Sequence, residues 1–284
     1  MNGDDFGLAP EVNRGIVRAH REGILTSTSL MVTAPAVDEA VRLARDTPSL
    51  AVGLHLVLVQ GHAASPASVR AGLARADGSF REAAIPAAMV YFFHPRVRAA
   101  LAGEIRAQLE AFRATGLRLS HVDGHLNIHL HPVAQAVLAE LASEFAIPAL
   151  RLTREAVLAN LLWDRRHVAR KVFEGAAFRI LSSVAERRLR PLGIVSTARL
   201  YGLHQSGACD EPYLRHLIPR LPAGDAELYG HPAEAETPEM RRLMPGYVHE
   251  RELAALTSPR VRALVEEYEI ELATYADLRP QPAP

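Results

Sequence analysis

Short apolar runs alternate with amphipathic segments along almost the whole chain, and that alternation admits few architectures. Pro10 to Glu22 has the spacing of a helix, with Val12, Ile16, Val17 and Ala19 on one face and Gly23 as a stop. Ile24 to Val32, rich in β-branched residues, reads as a strand, and Pro35 to Arg45 as a helix. The pattern continues with strand Ala51 to Leu58, helix Pro95 to Thr115, strand Leu117 to Val122, helix Pro132 to Phe145 and strand Pro148 to Leu152. A long helical stretch from Arg154 to about Arg190 follows, then strand Ala226 to Tyr229, helix Pro259 to Tyr268 and strand Glu269 to Ala273. Strands separated by helices predict a parallel sheet with helical crossovers. With no repeat and no low-complexity linker, residues 1–284 are expected to form a single α/β domain with a helical insertion at about 154–190. The number of short strands favours a closed or nearly closed β/α barrel over an open sheet.

A barrel places its chemistry at the C-terminal ends of the strands, so polar residues there carry the interest. In Ala51 to Leu58, Gly53 and His55 share a face, while Val52, Leu54, Leu56 and Leu58 share the other. The aliphatic face should meet helices, which turns His55 inward. A histidine in an apolar strand needs a partner for its ring nitrogens. Alone it reads as a core histidine bonded to a carbonyl.

HVDGHLNIHLHP, residues 121–132, holds four of the thirteen histidines. The strand ends near Val122, Gly124 permits a tight turn, and His125 falls just past the strand end. His121 and His125 are four apart, but the strand and Gly124 argue against a helical zinc motif. His131-Pro132 reads as a helix entry, and His129 either lines a pocket or packs. Near the start, Asp4 and Asp5 sit between Gly3 and Gly7. Adjacent aspartates are common in turns, but in an extended segment one carboxylate could hold a metal while the other faces a water. Asp5-Phe6-Gly7 matches a kinase metal-binding triplet, and the absence of any preceding glycine-rich loop or HRD motif dismisses that reading.

Jointly, DDFGLAPEVNRGI (Asp4 to Ile16), GILTSTSLMV (Gly23 to Val32), PSLAVGLHLVL (Pro48 to Leu58), HVDGHLNIHLHP and ELYGHPAE (Glu227 to Glu234) resemble the YdjC-like carbohydrate deacetylases. Segments such as GLHLVLVQG (Gly53 to Gly61) and RAQLEAFRATGL (Arg106 to Leu117) are most similar to the branch associated with hopanoid biosynthesis. The resemblance implies an irregular TIM-like barrel of the polysaccharide-deacetylase kind. It implies one divalent metal ion, Mg2+ by family resemblance with Zn2+ as the alternative, held by Asp5, His55 and His125. It also implies Asp4 as general base and His231 as general acid, acting on the N-acetyl group of an amino sugar, in this branch lipid-linked. A metal phosphoesterase or amidohydrolase drawing further ligands from His121, Asp123 and His129 is the second enzyme reading, and a non-catalytic sugar-binding barrel the third. Family members carry an apolar strand before the aspartate pair; here only Met1-Asn2-Gly3 precede it, so the first strand is expected to be truncated and the aspartates to fray.

Composition narrows the partners. A formal net charge of zero gives no reason to expect nucleic acid. One cysteine, Cys209, excludes an internal disulfide and a cysteine metal site. No apolar run reaches the roughly 20 residues that span a bilayer, and the first residues lack a signal-peptide pattern. A soluble cytoplasmic protein is expected, peripheral to the inner membrane if its substrate is a lipid, with a homodimer an open possibility. Two segments bear on such a substrate. Ala83 to Phe93 reads as a core helix, with a lid over the substrate as alternative. The arginine-rich Arg165 to Arg190 reads as a solvated face, with contact to an anionic membrane as alternative. The loop-like, polar Leu200 to Gly207 is expected near the pocket.

Overall fold

Six parallel strands organise the molecule, for which the computed structural model describes residues 1–278. They are β1 (Asn2–Phe6), β2 (Ser27–Leu30), β3 (Ala51–Leu56), β4 (Leu119–Gly124), β5 (Arg199–Tyr201) and β6 (Ala226–Gly230), in the order β4-β3-β2-β1-β6-β5. The sheet does not end cleanly at its edges. Val122 of β4 exchanges backbone hydrogen bonds with Ala149 and Arg151, and Leu200 of β5 does so with Arg154 and Ala156. Residues 148–156 therefore bridge both edges and complete an irregular β/α barrel. The expected strand at Pro148 to Leu152 is present only as these single bridges.

Helices wrap the sheet as the alternation requires. Those described are α1 (Pro10–Glu22), α2 (Val37–Arg45), α3 (Pro66–Arg70), α4 (Ala84–Phe93), α5 (Pro95–Ala114), α6 (Pro132–Leu141), α7 (Val157–Trp163), α8 (Val168–Leu189), α9 (Glu211–Leu217), α10 (Pro238–Leu243), α11 (His249–Leu256) and α12 (Pro259–Glu267). Seven of them carry proline at their first or second position, where its missing N–H goes unneeded.

Three expectations are corrected. The first strand is not truncated: Asn2–Phe6 form it, lying between β2 and β6, with Asn2 opposite Ser27 and Tyr229. Its polar sequence hides it, because its side chains satisfy one another inside the barrel. Asn2 donates to Asp4 at 2.8 Å and to Ser29 at 3.2 Å. Asp4 and Asp5 are thus buried rather than frayed. The segment Glu269 to Ala273 is not a strand; β5, too short to show a period, was invisible in its place. Finally, α4 is not a core helix, because only Ala87 and Tyr91 are buried while Ile85, Met89, Phe92 and Phe93 are exposed.

Candidate active site

The C-terminal ends of β1, β3 and β4 bring Asp5, His55 and His125 together, 120 residues apart in sequence at the extremes. Asp5 adopts a left-handed backbone with φ of 66°, which breaks the register of β1 between Gly3 and Phe6. A strained non-glycine backbone at a strand end is characteristic of functional sites. The chain beyond it is pinned by Asn13 of α1, whose side chain accepts from the Gly7 N–H at 2.7 Å and donates to the carbonyl of Ala36. Asp5 Oδ1 then lies 3.0 Å from His125 Nδ1 and 3.2 Å from His55 Nε2.

Both imidazoles are held from behind. His55 Nδ1 is 2.8 Å from Asp123 Oδ1, and His125 Nε2 is 3.2 Å from Gln60 Oε1. With those outer nitrogens donating, Nε2 of His55 and Nδ1 of His125 turn their lone pairs toward Asp5, the arrangement that orients metal-binding histidines. Burial opposes charge on His55, yet Asp123 and Asp5 raise its pKa to about 10. Burial likewise opposes charge on Asp5, and the two histidines hold it well below the carboxylate range. This cage draws positive charge, whether a proton or a cation.

A cation fits the donors. Atoms about 2.1 Å from one ion lie roughly 3.0–3.4 Å apart in cis-octahedral or tetrahedral arrangement, against the measured 3.0 and 3.2 Å. Asp5 Oδ2 is buried with no hydrogen-bond partner, a polar atom that an ion would satisfy.

Asp4, buried beside this centre, meets a residue not singled out in the sequence. Arg151, 1% exposed, grips Asp4 through both oxygens at 2.7 and 2.8 Å. It also pairs with Asp123 at 2.9 Å and Glu227 at 2.8 Å, and its guanidinium lies 4.6 Å from the Tyr229 ring centre. Burial disfavours its charge, but Asp123, Asp4 and Glu227 hold its pKa well above the ordinary arginine value. Asp4, His55 and Asp123 also converge to within 4.8 Å, but this second cluster already carries the Arg151 cation. A second metal is therefore not called for.

The remaining histidines resolve. His121 stacks on Tyr275 with ring centres 4.7 Å apart. It occupies the space left by Gly53, where a Cβ would approach its ring to 2.5 Å. His129 meets the Arg151 carbonyl at 2.9 Å, and burial lowers its pKa to about 4. His131 caps α6, accepting from the Val133 N–H. Of the four histidines in residues 121–132, only His125 joins the cluster. His231, directly after β6, packs edge-on to Tyr247 with ring centres 5.0 Å apart, and its backbone N–H donates to the Glu252 carboxylate. Burial lowers its pKa, while Asp5 and Asp4 act in the opposite sense.

Gln60 and Arg151 carried weak signals: a polar residue closing an apolar run, and a charge inside one. Beside Gln60 a cavity of about 290 Å³ opens between the 31–35 turn after β2, the 57–82 segment after β3 and α10, with His62, Arg75, Asp77, Glu239 and Arg242 in its walls.

A parallel barrel with a buried Asp-His-His cluster at its strand ends defines a class of α/β-barrel protein with a candidate metal site there. Within it, the chain belongs to the YdjC-like protein family, whose model matches residues 1–267. A carbohydrate deacetylase of Vibrio vulnificus is 32% identical over 283 residues, covering 98% of this chain and 95% of its own. One from Geobacillus stearothermophilus is 33% identical over 290 residues, covering 98% and 96%. The crystal structure of a putative cellobiose-phosphate cleavage protein from Enterococcus faecalis superposes with a TM-score of 0.71 at 26% identity, covering 97% of this chain and 96% of that one.

Proposed function

We propose that this chain is a carbohydrate N-deacetylase in which Asp5, His55 and His125 hold one divalent cation. The observation that carries the reading is the convergence of those three donors, with Asp5 Oδ2 unpartnered, in a chain similar along its length to carbohydrate deacetylases. When bound, the cation would polarise the acetyl carbonyl and lower the pKa of a water. Mg2+ is the family-based assignment; two imidazoles and a carboxylate suit Zn2+ better by ligand chemistry, and titration with each ion decides between them.

The protein's own groups supply the proton transfers. Asp4, fixed by Arg151 through both carboxylate oxygens, takes a proton from the attacking water as general base. His231 donates to the departing amine nitrogen, for which an acid is needed because an amine anion is too poor a leaving group. The cavity beside Gln60 offers carboxylates and guanidiniums to sugar hydroxyls and apolar walls to the rest. The resemblance to the hopanoid branch makes an N-acetylglucosaminyl hopanoid the proposed substrate, taken by a protein working at the inner face of the membrane. Acetate release from N-acetylglucosaminyl-bacteriohopanetetrol, compared with chitobiose, tests both levels. Release from neither refutes the deacetylase; a preference for chitobiose refutes the lipid-linked substrate alone.

A further inference from the structure

Three helices beside the site are built inside out. The inward stripe of α8 is Lys171, Gly175, Ser182, Ala185 and Leu189, mostly small or polar, whereas Phe173 and Ile180 are 75% and 65% exposed. In α7 the buried residue is Asn160, while Leu158 is 73% exposed and Leu162 57%. In α4, Ile85 is 79% exposed. A helix on a water-facing surface shows the reverse pattern, and contiguous apolar patches of this kind mark interaction sites.

These helices belong to one side of the barrel. Phe92 of α4 meets His131 edge-on, and Ala88 accepts from that same imidazole. From the other flank, Arg188 of α8 donates to the carbonyl of Pro132, and Leu181 accepts from Gln135. Both helices thus bracket the start of α6, and both pack on the His125–Leu130 turn that carries the metal-site histidine. Leu126, next to His125, is itself 40% exposed.

The charge on this side is lopsided. In a chain of net charge zero, residues 157–190 carry seven arginines, besides the buried Lys171, against three acidic side chains. A two-fold dimer through this face would set the patch against its own copy, basic against basic. An anionic lipid surface complements it instead, with apolar side chains entering the acyl boundary and arginines meeting headgroups.

We infer that α4, α7 and α8 form a docking surface for an anionic lipid bilayer, which presents the mouth of the active site to the membrane. The inference deepens the lipid-linked reading given above and rests on it for its purpose. The test is flotation of the whole protein with vesicles of mixed phosphatidylcholine and phosphatidylglycerol, and with vesicles of phosphatidylcholine alone. The wild type should float with the mixed vesicles, less so as salt rises. F173S/I180S should weaken that partitioning at least about tenfold, since burial of two large side chains is lost, and R165E/R179E should remove the preference for anionic lipid. These side chains lie on the surface, and circular dichroism verifies that the variants remain folded. Wild-type protein that ignores the mixed vesicles overturns the inference. So does a doubling of mass in solution that F173S/I180S abolishes, which would make a second copy the occupant. Acetate release from soluble chitobiose, measured on the same wild-type sample, tests the deacetylase reading separately from the surface.

Discussion

Replacing Arg151 with methionine should damage stability and catalysis together, through one physical cause. The guanidinium is the shared counter-ion of Asp4, Asp123 and Glu227, all buried, and methionine fills similar volume without charge. Removing one partner of a buried ion pair typically destabilises by about 3–5 kcal/mol, because the remaining charge is left uncompensated. At roughly 2.1 cal/mol/K per residue, a chain of 284 residues has an unfolding entropy of about 0.6 kcal/mol/K, so the melting temperature should fall by ~5–8 °C. The loss should depend on pH with a definite sign. Burial would raise the pKa of Asp123, but Arg151 and His55 hold it well below the carboxylate range. Its contribution is therefore present above the ordinary aspartate pKa and lost as pH falls. In R151M the unpaired anions are relieved by protonation, so the gap to wild type should be widest at alkaline pH and narrow on acidification. Urea titration across pH, with acetate release on the same samples, measures both effects. A loss under about 1 kcal/mol, or one independent of pH, would refute the view of Arg151 as the shared counter-ion that holds the Asp123 carboxyl ionised.

The other predictions concern the centre and its acids. H125A should abolish binding of the divalent cation in calorimetry while leaving the circular dichroism spectrum unchanged; full occupancy would redirect the assignment to His121 or His129. D4N should keep the cation and lose roughly 10²–10⁴-fold in turnover, whereas D5N should weaken cation binding, and the opposite pattern exchanges their roles. D123N, which removes the support behind His55, should lower cation affinity about 10–100-fold, read by competition with a chelating dye. H231A should slow an N-acetyl amide far more than an ester whose leaving group needs little protonation; equal losses would make His231 a positioning group. Because burial pushes the His231 pKa down from its ordinary 6.5, the decline of amide turnover with rising pH should have its midpoint below 6.5, and H231A should lack that decline.

Much of this was legible locally. Hydrophobic period marked α1, α5, α6 and α12 closely, since burying one stripe of a helix leaves its mark every three or four residues. It marked β3 equally well, and with it the inward turn of His55. The order of strands and helices settled a parallel sheet, and a parallel sheet places every strand's C-terminal end on one side. His55, His125 and His231 could therefore be placed at one end of the sheet before any distance was known, and the family resemblance joined Asp5 to them. The polar β1 could not be read so, because beyond their mutual hydrogen bond Asn2 and Asp4 are satisfied by Ser29 and Arg151, remote in sequence.

Tertiary structure decided the rest. Arg151 reaches Asp4 over 147 residues only because the 148–156 segment bridges β4 and β5, and no local period records that closure. Gln60 supports His125 because a left-handed residue, φ 50°, turns the chain after β3. Whether an apolar helix lies inside or out is likewise undetermined by composition: α4 is apolar around much of its circumference, and only the space left by its neighbours fixes which residues are buried. The sequence by itself determined which groups could meet at the strand ends; packing determined which were paired, which were held apart, and which faces remained uncovered.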